Sequence, residues 1–233
     1  MAQIPYITKD DIVNKDILFE YIYNNQEINY YFSDKFDCEF YILLARAGFI
    51  SVSYSEDDIQ YLLPEMQFEY AVLDFENLHI SKKVKKLLKQ KNLYSFSIDQ
   101  DFDNVLKLID KYHKDNWIVG DYLNLLKKLY KYNSDISFKL ISCELKAQST
   151  DEIIAGEVGY IIGSTYTSLS GFSLKEKQYN NWGKLQMVLL AKYLQKNDFS
   201  FWNLGHPYMK YKLDLGAKVL NRIDFLQRWL KMI

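Results

Sequence analysis

Much that would mark a specialised class of protein is missing from this 233-residue chain. Its two cysteines, Cys38 and Cys143, are too few for a disulfide framework, and neither sits in a Cys-x-x-Cys pair. His79, His113 and His206 show no metal-ligand spacing with one another or with the cysteines, so no metal site is expected. There is no Gly-x-Ser-x-Gly nucleophile elbow and no Walker loop. With three prolines and nine glycines, no Gly/Ser-rich or Pro-rich linker divides the chain. No apolar run approaches the roughly 20 residues that span a bilayer, and Met1-Ala-Gln-Ile-Pro-Tyr6 lacks the basic and apolar regions of a signal peptide. A cytoplasmic location without a membrane partner is the expectation. Arginine is scarce, at Arg46, Arg222 and Arg228 alone, and the net charge of −1 gives no global pull toward nucleic acid.

What remains is an ordinary globular composition. Hydrophobic residues make up 48% and charged residues 25% of a length that suits one or two domains with a sizeable core. Hydrophobic periodicity predicts helices over 11–25 and 38–47, the second closed by Gly48, and a strand over 49–54. Glu56-Asp57-Asp58 and Pro64 read as breaks, and a new unit is expected to begin near Met66. A strand at 68–75, a helix at 81–91 and a strand at 93–98 come next. Two helices follow, at 101–112 and 119–132, then strands at 136–145, 153–162 and 164–172, the last two turned through Gly163. The chain closes with a helix at 181–196, a strand at 199–204, a short helix, a strand at 218–223 and a final helix. Two helices before an antiparallel meander and a βαβ end is the element order of a GNAT-type acyltransferase. The predicted class is therefore α/β with a mixed sheet. A small N-terminal domain (1–66) precedes a GNAT-like domain (67–233).

One helix carries an uneven charge. Residues 82–91 contain Lys82, Lys83, Lys85, Lys86, Lys89 and Lys91 and no acid. At about 100° per residue, Val84, Leu87 and Leu88 share one arc and five of the six lysines face away from it. A solvated helix face explains this pattern, but such a face usually carries acids four residues before its lysines. A surface that tracks phosphates without reading bases explains the missing acids as well.

Several segments then match one family in order. Leu78-His79-Ile80-Ser81-Lys82 resembles the Leu-His-Ile-Ser-Arg segment of leucyl/phenylalanyl-tRNA–protein transferases. Asn116-Trp117-Ile118 is similar to that family's Thr-Trp-Ile, and Glu152 to Tyr160 to its first hairpin strand. Ser170-Gly171-Phe172-Ser173 stands where the family has Ser-Met-Phe-Ser. Leu215-Gly216-Ala217 matches its Leu-Gly-Ala, and Tyr41 to Phe49 fits an N-terminal segment. Together these cover roughly residues 38–230. The resemblance implies a small N-terminal domain on a GNAT-type domain. It also implies transfer of an amino acid from the 3′ end of an aminoacyl-tRNA to a protein's N-terminal amine, without a cofactor. On that basis Lys82, Lys85, Lys86 and Lys89 would contact tRNA and Trp117 would stack on the terminal adenosine. A core tryptophan at a helix start is the alternative for Trp117.

This chain departs from the family where the chemistry is done. Leu169 replaces a Glu, Asn203 an Asp and Gly205 a Gln, and His206 falls in the same neighbourhood. Ser51-Val52-Ser53 replaces an aromatic Pro-Trp-Phe wall. The Asn203 amide can donate to a developing oxyanion, which an ionised Asp could not. Glu157 falls where the family lines its aminoacyl pocket with an apolar residue, beside Leu169 and Ser170. A carboxylate there favours a cationic or polar aminoacyl group, unless it points outward or pairs with a lysine. Two further readings stay open: a tRNA-binding module without catalysis, and a CoA-dependent N-acyltransferase. Against the second, Asn180-Asn181-Trp182-Gly183-Lys184 is a poor cradle for a pyrophosphate.

Overall fold

The computed structural model describes residues 4–132 and 134–233. They fall into two compact units that do not follow a single cut in the sequence. The first takes the chain up to Tyr70 together with Trp117–Lys139 and Val219–Ile233; the second takes Ala71–Asn116 and Leu140–Lys218.

In the first unit, α1 (Lys9–Val13) begins with a capping box: the Thr8 hydroxyl accepts from Asp11 N–H and the Asp11 carboxylate accepts from Thr8 N–H at 2.8 Å. The single helix expected over 11–25 does not form. Asn14 ends α1, and its side chain accepts from the N–H groups of Asp16 and Ile17 at the head of a π-helical segment, Ile17–Tyr23. An asparagine that bonds nearby backbone competes with helix continuation. As expected, α2 (Cys38–Arg46) forms, capped by Asp37 and followed by Gly48 at φ +93°. The break expected at 56–58 is instead the turn of a hairpin between β1 (Ile50–Glu56) and β2 (Ile59–Glu65). Asp57 and Asp58 adopt φ of +48° and +63°, the left-handed conformations of a two-residue hairpin turn. Pro64 lies within β2 opposite Ser51, and its carbonyl accepts from Tyr31 N–H.

Helices α5 (Gly120–Tyr130) and α8 (Arg222–Trp229) complete this unit. Tyr70 stacks on Phe225 with centroids 3.7 Å apart, and Trp229 Nε1 donates to the Arg46 carbonyl at 2.8 Å. Arg222 is buried. Its guanidinium donates to the carbonyls of Ile22, Asn25, Ile28, Met66 and Gln67 and lies 4.7 Å from the Phe68 ring.

A seven-stranded mixed sheet spans most of the second unit. Its strands are β3 (Glu69–Leu73), β4 (Tyr94–Ile98), β5 (Phe138–Ala147), β6 (Ile153–Ile162), β7 (Thr165–Ser173), β8 (Phe201–Asn203) and β9 (Lys218–Asn221). They run in the order β4-β5-β6-β7-β8-β3-β9. Antiparallel β6 and β7 turn through Gly163 at φ +52°, whereas β7 and β8 are parallel with α6 (Trp182–Lys196) as their crossover. Two features open the sheet. A bulge leaves Leu169 out of register, since Val158 pairs with Ser170 and Gly159 with Ser168. Pairing of β7 with β8 covers only Thr165–Thr167, so β7 runs on to Ser173 beyond the end of its neighbour. Helix α4 (Phe102–Tyr112) and α6 both pack on β6. A Cβ at Gly156 would lie 3.5 Å from Val105 of α4, while Glu157 bonds Gln186 of α6, so alternation puts the helices on opposite faces. The mixed α/β class expected from the sequence is what forms.

Arg222→Met should destabilise the protein by about 3–5 kcal/mol, since it strands several buried carbonyls at once. Arg222→Lys should recover only part of this, because an ammonium has three donors for five acceptors. Urea unfolding midpoints of the two variants check the ordering.

Candidate functional site

The lysine helix, α3 (Lys82–Lys89), belongs to the second unit. Ser81 caps it by accepting from Val84 N–H at 3.3 Å. Val84 is buried and Leu87 and Leu88 pack against the core, while Lys82, Lys83, Lys85, Lys86 and Lys89 are all exposed. None of these lysines forms an ion pair among the described residues. Cations in a first turn oppose the helix dipole, at about 0.3–1 kcal/mol each. The helix therefore holds Lys82 and Lys83 at its N-terminal end against its own electrostatics.

Two segments distant in sequence meet at the foot of α3. His79 N–H donates to the Leu215 carbonyl at 2.8 Å, and His79 Nδ1 lies 2.9 Å from the Asp214 carbonyl. Gly216 sits at φ +106°, and a Cβ there would lie 2.0 Å from the Asn77 carbonyl oxygen. These bonds hold the segment leading into α3 against the end of α7 (Lys210–Asp214).

At the end of β8, Asn203 is buried. Its Oδ1 accepts from Gly205 N–H at 3.0 Å, and its Nδ2 donates to Thr167 Oγ1 at 3.4 Å, leaving a second amide hydrogen. Gly205 holds φ +70°, and the half-buried His206 stacks on Tyr208. On the opposite face lies a polar cluster around Glu157, which points inward. Its carboxylate accepts from Ser168 Oγ (2.7 Å), Tyr166 hydroxyl (3.1 Å) and Gln186 Nε2 (3.2 Å). Gln186 Nε2 also lies 2.9 Å from Cys143 Sγ, and Trp202 Nε1 donates to Ser168 Oγ at 2.8 Å. Gly159 makes room for this, since a Cβ there would lie 2.4 Å from the Tyr166 hydroxyl. Burial raises the Glu157 pKa, and its three donors and the charge of Lys212 act against that rise. Lys212 itself is buried, donates to the carbonyls of Leu204 (2.5 Å) and His206 (2.7 Å), and has its pKa pulled down to about 8 by burial.

Of the residues picked from the sequence, Lys82, Lys85, Lys86, Lys89, Glu157, Leu169, Ser170, Asn203 and His206 lie in the second unit. Leu169 is the bulged residue and Ser170 its neighbour in the opened part of β7. Trp117 lies in the first unit, half-buried, 5.2 Å from the Tyr122 ring. There it meets the replaced segment, for Ser53 Oγ donates to the Trp117 carbonyl at 2.5 Å and Tyr122 donates to the Ser51 carbonyl at 2.7 Å. Lys212, Gln186, Tyr166 and Ser168 escaped the sequence reading. Nothing in the local pattern separates Lys212 from the many surface lysines. Gly159, a glycine inside a strand, was the one signal of a close approach.

A mixed α/β protein with an exposed cationic helix face and a parallel strand pair that parts after Thr167 is the class these features define. The profile of the leucyl/phenylalanyl-tRNA protein transferase family matches residues 72–230, and the chain belongs to that family. A transferase of that name from Campylobacter lari is 28% identical over 157 residues, 67% of this chain and 65% of the relative. Others from Maridesulfovibrio salexigens and Flavobacterium johnsoniae are 23% and 22% identical, over 66% of this chain and 61% and 69% of their own. The chain thus spans just under two thirds of the length of the first of these. Among solved structures, FemX (12% identity, TM-score 0.46, 78% of this chain and 66% of FemX) and L-PGS from Bacillus licheniformis (14%, 0.44, 71% and 65%) show only a distant likeness.

Gly216→Ala should cost about 2–3 kcal/mol or more, from a left-handed φ and a backbone clash that no rotamer relieves; thermal melts check it. Glu157→Gln addresses pH. Because the folded pKa of Glu157 is raised above 4.5, its stabilising contribution is complete below 4.5 and is lost as pH rises through the folded value. The variant should flatten that part of the stability–pH curve, measured by urea titration from pH 4 to 8.

Proposed function

We propose that this protein is an aminoacyl-tRNA–protein transferase, moving an amino acid from the 3′ end of a charged tRNA to the N-terminal amine of an acceptor protein. The observation that carries the reading is the union of family membership with the exposed, unpaired lysine face of α3. Lys82, Lys85, Lys86 and Lys89 track tRNA phosphates. Leu169, Ser170 and His206 line the aminoacyl side, and Asn203 donates to the developing oxyanion. The proposed architecture is a GNAT-type domain (67–233) after a small N-terminal domain (1–66). Chemistry of this kind is open to a site with few ionised acids. The ester is already activated, and freeing an α-amine of pKa about 8 from its proton costs only about 1–1.5 kcal/mol at pH 7. Against a CoA-dependent reaction stands the N-terminus of α6. Trp182 is buried there, and a Cβ on Gly183 would lie 2.9 Å from the Ser173 side chain.

A binding module that kept the scaffold and lost turnover is the second reading, favoured by Leu169, Asn203 and Gly205. Incubation with a full set of charged tRNAs and peptides of varied N-termini separates the two. Labelled amino acid on a peptide is expected; tRNA binding with no transfer, beside an active control transferase, selects the module. In that event, activity regained by Leu169→Glu with Asn203→Asp would show the scaffold to be competent. The tRNA affinity should fall log-linearly with salt, with a slope of about −0.7 to −0.9 per phosphate contact. Reversing Lys82, Lys85 and Lys86 to Glu should weaken binding and flatten the slope while leaving the melting temperature unchanged or slightly raised. Parental affinity in that variant at low salt would reduce α3 to a solvated face.

A further inference from the structure

Residues 206–213 hold apolar surface out in water on a tethered backbone. Tyr208 is 78% exposed, Met209 51%, Leu213 44% and Tyr211 39%. A single exposed apolar side chain is ordinary, but a run of them within one short segment marks an interaction surface. The backbone beneath is tied at both ends. Gly205 N–H donates to Asn203 Oδ1, and the buried Lys212 side chain donates to the carbonyls of Leu204 and His206. Further along, Leu215 N–H donates to the Tyr211 carbonyl at 3.0 Å, and Pro207 is buried. The Tyr208 ring is held as well, its centroid 5.1 Å from that of the His206 ring with the planes 19° apart. A ring already fixed in a stack loses little rotamer freedom when another flat group covers it.

Charge tells what that flat group is. The ionisable side chains of residues 204–214, tyrosines apart, are His206, Lys210, Lys212 and Asp214, and Asp214 pairs with Lys184 at 3.4 Å. The exposed balance is therefore cationic, with Lys210 in the open between Tyr208 and Tyr211. The end of this segment is also bonded to the residues that lead into α3, so the aromatic patch and the lysine face belong to elements joined at one junction. Aromatic rings interleaved with lysines suit unpaired nucleotides: a ring stacks on a base of any identity, and an ammonium meets the phosphate beside it. A ring with most of its surface in water projects from the protein. It offers a face to a flat base, whereas an apolar ligand is ordinarily enclosed by a concave pocket. Resting on the transferase reading above, we infer that Tyr208, backed by His206, is a stacking platform for an unpaired base at the tRNA 3′ end. Lys210 meets the adjoining phosphate, and Met209 and Tyr211 extend the apolar surface alongside. His206 stands on the aminoacyl side in that reading, so the base on Tyr208 lies close to the esterified ribose.

Two RNAs test the inference on the full chain: an intact uncharged tRNA, and the same tRNA stripped of its unpaired 3′ nucleotides. Their affinities are measured for the parent, Tyr208→Ala, Tyr208→Phe and Lys210→Gln. Tyr208→Ala should weaken binding of the intact tRNA by about 5- to 100-fold, the range of one base–aromatic stack. Its melting temperature should match the parent's, because the ring lies mostly in water. Tyr208→Phe keeps the stacking face and should bind like the parent. The stripped tRNA should bind the parent and Tyr208→Ala equally, since the base that Tyr208 serves is gone. Lys210→Gln should flatten the slope of log affinity against log salt by about 0.7, the value for one single-strand phosphate; an unmoved slope overturns the phosphate contact. Parental affinity of Tyr208→Ala for intact tRNA overturns the platform, and a raised KM for the peptide acceptor in that variant would give the patch to the protein substrate instead. An equal loss on intact and stripped tRNA also overturns it, because the contact then lies on the paired stem. Binding with the expected losses but no transfer by the parent supports the platform while the transferase reading fails. A parent that binds neither RNA overturns both.

Discussion

The approach of Gly216 to the Asn77 carbonyl is the constraint on which the rest of the second unit's site depends. No side chain fits there, so residues 77–79 and 214–216 can lie against each other and exchange the His79 bonds. That contact sets where α3 begins and where α7 ends. The lysine face and Lys212 are therefore positioned by the same junction, although nearly the whole second unit separates them in sequence. The Leu78-His79-Ile80-Ser81 and Leu215-Gly216-Ala217 segments thus meet through packing and backbone hydrogen bonds.

Charge is used in two opposite ways on the two sides of this junction. On α3 it is exposed, unpaired and set partly against the helix dipole, an arrangement that gains nothing for folding and suits a polyanion. Around Glu157 it is buried and surrounded by neutral donors, so that each polar atom's desolvation is offset by a hydrogen bond. Lys212 stands between these regimes: buried, yet bonded only to carbonyls, with its charge weakened by its surroundings.

The first unit shows a different economy. Arg222, one of only three arginines, gathers carbonyls from the π-helical segment, the Ile28 turn and the Met66–Gln67 link into one buried knot. A planar guanidinium can serve several diverging carbonyls; a lysine cannot. In a chain that otherwise uses lysine for its positive charge, that geometry accounts for the arginine here.

By itself the sequence determined the elements with strong periodicity, the mixed α/β class, the amphipathic lysine helix and the family. These are local or ordered signals: an apolar stripe every three to four residues, an alternating strand, a run without acids. It misled where short polar residues chose between local conformations, as Asn14 did in dividing a helix and Asp57-Asp58 in turning a hairpin rather than ending a strand. Only the tertiary structure decided that Glu157 points inward and is satisfied, that Leu169 is a bulge, and that Lys212 is buried. Each of these depends on which faces alternate across a sheet and which distant carbonyls a side chain meets. Burial and hydrogen bonding are properties of partners far apart in the chain, and no residue's own neighbours in sequence encode them.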